Sequence, residues 1–307
     1  MTTKSSGKSS ALPHDPQVQD RLETRTASQT TWAGSIGWFL AQVALWLFFI
    51  SVAFPILWTV FTSLKENREL FSSPWALPAT WQWDNYERAW NKMKVGTYIF
   101  NSVFVTTASL LVIMSLGSMT AYALSRFTFR GNRVLYFYFI AGLMIPGFLT
   151  MIPAWFLHRS LGTMGTSWAL IIQYAAGSLS FTVFFLYAFF KTLPKELEES
   201  AIIDGANYFQ VFYQVMLPLA RSGILTVTIF NFLGVWNEYS WALVTISKDE
   251  LKTLPLGMAN LLQQSQYSTD WGAMFAGFVI MLVPTFITYA ILQHRLTEGI
   301  TVGALKG

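Results

Sequence analysis

"ELEESAIIDGANYFQVFYQVMLP", residues 196–218, clusters carboxylates and then follows them with aromatics at helical spacing. Pro194 suits the first turn of a helix, where a missing N–H costs nothing. Glu196, Glu198 and Glu199 then fall where the positive end of the helix dipole favours them. Ser200 and Ala201 keep one side of this helix thin, so that another protein's surface can approach. Gly205, after Asp204, is expected to take the left-handed conformation that ends a helix and turns the chain. Phe209, Phe212, Tyr213 and Met216 fall at i, i+3, i+4 and i+7, one helical face, with Asn207, Gln210 and Gln214 on the other. Leu217 and Pro218 are expected to end the second helix, and Pro218 can open the next one. The pattern predicts two short helices bent at a glycine. On residues alone, an amphipathic hairpin floating on lipid headgroups fits equally well.

The surroundings decide the class. The chain has 307 residues, 53% hydrophobic and only 12% charged, with a mean hydropathy of +0.42. Soluble domains carry about twice that share of charge. Its 26 Phe and 13 Trp suit a lipid solvent with wet interfaces. A helix needs about 20 apolar residues to cross the hydrocarbon, and runs of that order predict six spans. They lie near 38–62, 99–124, 134–157, 168–190, 220–243 and 272–293. Pro55, Pro146, Pro153 and Pro284 are expected to kink or end helical turns. The fold class is an all-α integral membrane protein, with the opening stretch forming a loop between spans four and five.

Arg126, Arg130 and Arg133 crowd the tight loop between spans two and three. Placing that loop in the cytoplasm by the positive-inside bias puts both termini and residues 196–218 inside too. Residues 1–35 are polar, rich in Ser and Thr, and read as a disordered cytoplasmic tail without a secretory signal. The domain proper is 36–307. "SSGKSS", residues 5–10, looks like a phosphate loop, but the position its first glycine needs is Thr2. Cysteine is absent, so no disulfide framework or thiolate metal site is available. No metal site and no catalytic residue is expected.

"ESAIIDG", nine residues, then "VMLP" resembles the signature of bacterial ABC-importer permeases: Glu-Ala-Ala, three residues, Gly, nine residues, Ile-x-Leu-Pro. Glu199, Ala201, Gly205, Leu217 and Pro218 match it, while Ser200 and Val215 replace an Ala and an Ile. "PILWTVFTSLK", "NSVFVTTASLLVIMSLGSMTAYALSRFTFRG" and the closing "LTEGITVGALKG" look like the carbohydrate-uptake branch, especially the maltose-type second permease. The resemblance covers residues 36–307. It implies that the opening stretch is a coupling helix docking on a separate ATPase, with Glu199, Ser200, Ala201, Asp204, Gly205, Leu217 and Pro218 as the coupling residues. It further implies a second permease subunit as heterodimer partner, two cytoplasmic ATPase subunits and an extracytoplasmic solute-binding protein. ATP and Mg would be bound by the ATPase, and no cofactor by this chain. The implied cargo is a di- or oligosaccharide, carried across a bacterial inner membrane by a transport subunit that is not itself an enzyme. The signature is shared by importers of other solutes, such as glycerol phosphate, and does not choose among them.

Glu238 is the one carboxylate inside an apolar stretch, "GVWNEYSW". With Trp236, Asn237 and Trp241 it is a translocation-pathway candidate, since an intramembrane ionisable group has to repay its desolvation. It also lies about 30 Å along a helix from Pro218, which suits an outer-surface position equally. His158 and His294 read as polar caps at span ends, and Gly117 as a site of close helix packing. Trp75, Trp81, Trp83, Tyr86 and Trp90 read as an interfacial belt or a docking surface for a binding protein. An integral membrane enzyme would need clustered His, Asp or Glu at one face, and a stand-alone ion-coupled transporter would need charges in several spans. Neither pattern is present.

Overall fold

The computed structural model describes residues 32–264 and 270–304, with side chains over 37–262 and 270–290. Among the described residues there is no strand. The chain divides into two units, Met1–Trp58 and Thr59–Gly307. The described part of the first is most of one apolar helix, α1 (Trp32–Thr62), with Pro55 inside it. That helix begins earlier than the expected span, and the expected tail lies outside the described residues up to Trp32.

In the second unit, α2 (Asn67–Ser72) and α3 (Asp84–Asn91) fold the loop ahead of α4 (Val95–Arg126). Next come α5 (Asn132–Met144), a 3-10 turn (Gly147–Thr150) and α6 (Met151–Ser160). Then follow α7 (Ser167–Thr192), α8 (Glu196–Ile203), α9 (Tyr208–Leu219), α10 (Arg221–Trp236) and α11 (Ser240–Thr245). A 3-10 turn (Asp249–Leu251), α12 (Leu254–Gln264) and α13 (Trp271–Ala304) complete the order.

Among the described residues four helices are long and apolar enough to cross a membrane, and up to six if each of two bent pairs counts as one span. The expected third span, 134–157, is one of those pairs. Its two halves meet at 99°. Pro146 is the reason, because a residue before proline is pushed out of the helical region, and Ile145 is extended at φ −87°, ψ 114°. The expected fifth span, 220–243, also needs correction. Its helix stops at Trp236, and the chain re-enters a helix only at Ser240.

Packing in lipid has no hydrophobic force to drive it, so close approach of small residues carries the helix contacts. Gly117 of α4 is buried against Thr182 of α7, where a Cβ would collide with the threonine side chain. Gly223 of α10 meets the Phe189 ring in the same way. Thr182 also accepts from Asn231 Nδ2 at 2.8 Å, which satisfies the amide that α10 carries into the bundle. Around this seam one apolar cluster gathers Ile113, Leu170, Ile171 and Trp241. A second gathers Val95, Tyr98, Trp236, Leu254 and Met274. A third, at the α8–α9 end, gathers Tyr122, Leu186, Phe190, Val211, Phe212 and Met216.

Candidate functional site

The α8–α9 elbow is built by three local devices. Glu196, Glu198 and Glu199 occupy the first turn of α8. At its other end Gly205 has φ +89°. Ala206 N–H donates to Ala201 O at 3.0 Å and Gly205 N–H to Ile202 O at 3.0 Å, the bond pair of a Schellman turn, whose left-handed position favours glycine. Asn207 then starts α9 as a capping box. Its side chain accepts from Phe209 and Gln210 N–H, and its own N–H donates to Gln210 Oε1 at 2.8 Å. Two caps separated only by Gly205 and Ala206 leave little freedom in the angle between α8 and α9.

The aromatic face of α9 differs from the expectation. Val211–Met216 is a π-helical turn, whose i→i+5 bonding changes which residues share a side. Val211, Phe212 and Met216 are buried, while Phe209 and Tyr213 are exposed. The helix also does not end at Leu217 and Pro218. It runs through them to Leu219 and turns by 77° into α10 at Ala220.

The elbow is clamped by Arg126, which the sequence marks only for orientation, and Glu198, which it marks only as a charge favoured at a helix start. Arg126 Nε faces Glu198 Oε1 at 2.6 Å, with both side chains nearly buried, and Arg126 Nη2 donates to Leu193 O at 2.9 Å. Burial pushes the Glu198 carboxyl up, and Arg126 pulls against it without prevailing. Of the expected coupling residues, Ala201 turns inward onto the third cluster, so its small size serves close packing on this chain's own bundle. Glu199, Ser200, Asp204 and Pro218 are exposed and Leu217 is half-buried. Ile203, one helical turn on from Glu199, is 85% exposed, and Tyr208 and Phe209 at the start of α9 are also open.

Glu238 sits in a different place. Its Oε2 accepts from Tyr174 O–H at 2.5 Å and Ala242 N–H at 3.2 Å, and its Oε1 accepts from Trp241 N–H at 2.7 Å. It thereby caps α11, a favourable use of negative charge at a helix start. Beside it lies a cavity of about 420 Å³ lined by, among others, Gln173, Tyr174, Ser178, Glu238 and Trp241. The four pathway candidates therefore divide. Glu238 and Trp241 reach this cavity, whereas Trp236 is buried against Phe232 in the second cluster and Asn237 is exposed, donating to Leu233 O. Tyr174 reaches Glu238 across 64 residues of sequence, a range that leaves no local signal. His158 is not a surface cap. It is 2% exposed, with Nδ1 2.8 Å from Thr163 Oγ1 and its ring against Trp241. The His294 side chain lies outside the described residues.

Membrane-length helices, two of them bent pairs, and an exposed elbow at one end mark a multi-pass membrane protein. The chain belongs to the family of binding-protein-dependent transport system inner membrane components, whose model matches residues 113–296. It is 39% identical over 267 residues to the diacetylchitobiose uptake system permease protein NgcG of Streptomyces coelicolor, covering 87% of this chain and 88% of that one. It is 31% identical to the trehalose transport system permease protein SugB of Mycobacterium tuberculosis, covering 82% and 92%. A crystal structure of a bacterial ABC transporter that imports the acidic polysaccharide alginate shares its fold. That match has a TM-score of 0.80 at 23% identity and covers 86% of this chain and 98% of that one.

Proposed function

We propose that this chain is a permease subunit of an ATP-binding-cassette importer that carries a di- or oligosaccharide into a bacterial cytoplasm. What carries the sugar reading is the similarity along nearly the whole chain to permeases named for diacetylchitobiose and trehalose. The α8–α9 elbow is the coupling segment. Its apolar rim at Ile203, Tyr208 and Phe209 gives an ATPase groove something to bury, and exposed Glu199 offers a charge to a basic residue there. ATP and Mg are bound by that partner. When two ATPase subunits close, the elbow moves, and the Arg126–Glu198 clamp passes the motion to α4.

In this reading both termini and the elbow face the cytoplasm. A second permease completes the pathway, and a binding protein delivers the sugar at the opposite face, where Trp75, Trp81 and Trp83 are exposed. The cavity beside Glu238 and Trp241 contributes polar edges and one indole to the pathway. The test is to co-purify the chain with its partners in nanodiscs and measure ATP hydrolysis with a panel of loaded binding protein and sugars. Stimulation by an oligosaccharide is expected. Hydrolysis that ignores every sugar and responds to glycerol phosphate would reassign the cargo.

A further inference from the structure

A second cavity, of about 390 Å³, opens between the α4–α5 turn and the end of α7. Four cations line it: Arg126, Arg133, Lys191 and Lys195. Arg126 is committed to Glu198. The other three make no ion pair among the described residues. Lys191 Nζ lies over the Tyr187 ring at 5.5 Å and the Arg133 guanidinium over Phe137 at 5.6 Å, so aromatic faces hold them in place. Tyr187 in turn stacks on Tyr136 at 4.0 Å, tying α5 to α7 at this wall.

The start of α5 meets the same cavity. Gly131 turns the chain at φ +92°, and no side chain caps the helix. Asn132 N–H donates to Phe129 O at 3.1 Å, and its Nδ2 donates to Leu124 O and Phe127 O, which turns its amide toward the end of α4. Unmet N–H groups at a helix start attract an anion, and a cation there is unfavourable unless an anion is present. Arg133 stands at that start. An uncapped 13-residue helix, a cation placed against its dipole and two more cations without a close ion pair, of which Lys195 also feels Glu198, favour one further partner, an oxyanion.

The geometry points to the phosphate headgroup of an anionic phospholipid in this cavity. A lipid fits better than free phosphate for two reasons. The cavity lies where α4 and α7, both of membrane-crossing length, end. Beyond it the outer side of α5 is apolar and open, with Val134, Phe137 and Tyr138 all more than half exposed, a surface for acyl chains. Basic pockets between helix ends at a membrane face are suited to such headgroups. The inference is independent of which solute is carried.

The full chain, purified in detergent, would be incubated with phosphatidylglycerol or phosphatidylcholine and its bound lipids counted by native mass spectrometry. At least a tenfold preference for phosphatidylglycerol is expected. It should vanish in Arg133→Gln/Lys191→Gln/Lys195→Gln, survive in Lys191→Arg/Lys195→Arg, and resist competition by inorganic phosphate. Equal retention of both lipids, or a preference unchanged in the triple glutamine variant, overturns the proposal. Displacement by inorganic phosphate rejects the lipid source. Intact lipid preference with loss of ATPase co-purification assigns the cations to a protein contact instead. If the triple variant aggregates on gel filtration, Lys191→Gln alone should still weaken retention about threefold, and no change there refutes the site.

Discussion

Glu238 accepts three hydrogen bonds inside an apolar bundle. Removing the acceptor leaves a buried phenol and two N–H groups short of partners, at a cost of about 1–3 kcal/mol. Glu238→Ala should therefore lower the thermal midpoint in detergent clearly, Tyr174→Phe less, and the two together less than their sum. Strict additivity in that cycle would show that the 2.5 Å contact contributes nothing. Gly205 presents a purer backbone case. A Cβ there would meet no atom within 4 Å, yet φ is +89°, so the penalty is conformational, about 1–2 kcal/mol for most residues and less for Asn. Gly205→Asn should keep sugar-stimulated ATP hydrolysis, and Gly205→Val should lose most of it while the chain still inserts. Equal activity of the two would detach the turn from coupling.

At the scale of elements, the clamp between α4 and α8 joins two segments that move together or not at all. Losing one member of a buried ion pair strands the other, at about 3–5 kcal/mol, whereas replacing both with apolar side chains is often neutral. Arg126→Met should thus destabilise strongly and Arg126→Met/Glu198→Met should recover most of the loss, read by unfolding in mixed micelles. A double variant no better than the single would remove the pairing argument. The elements themselves differed in how far they could be read from sequence. Gly205 was readable because glycine takes its left-handed conformation at no steric cost and few other residues do. The Asn207-x-x-Gln210 box has local spacing too, but both residues also fit the polar face of an amphipathic helix, so the pattern alone does not mark it as a cap. The face of α9 was misassigned because periodicity arguments assume α-helical bonding, and Val211–Met216 bonds one residue further along. Pro146 announced a kink, but not that Gly147 would follow it into a near right angle.

At the scale of the molecule, charge ties segments far apart in sequence at the end away from the elbow. Arg88 binds Asp270 in a bidentate pair at 2.6 and 3.2 Å. Burial pushes the Asp270 carboxyl up, but the bonds from Arg88 and the Ala273 N–H bring it below its usual value. Asp249 accepts from Lys94 and Lys252 at 2.9 and 3.0 Å, and these ammonium groups hold its carboxyl down to about 2. A depressed acid contributes stability above its unfolded pKa of about 4, and that contribution fades as pH falls toward the folded value. Thermal stability should therefore decline between about pH 4 and 2, while Asp249→Asn is less stable at neutral pH and shows a shallower decline. A variant whose pH profile matches the parent would assign the acid sensitivity elsewhere.

The opposite end carries the largest consequence. Ile203, Tyr208 and Phe209 are large apolar side chains open on the same elbow, and such exposure favours a partner that covers it. Lipid headgroups or a protein groove are the two covers available, and a single charge distinguishes them. Ile203→Asp should leave membrane insertion intact, because the residue lies on an exposed elbow outside the bundle's clusters. Placed in an apolar groove, the same carboxylate is desolvated without a counter-charge and should cut the yield of co-purified ATPase at least tenfold. Against headgroups it stays hydrated, and the yield should not move. Ile203→Leu, which keeps the apolar volume, should preserve the complex. An Ile203→Asp chain that still brings down its ATPase in full would take the rim out of the interface, leaving Glu199 and the Gly205 turn to account for docking.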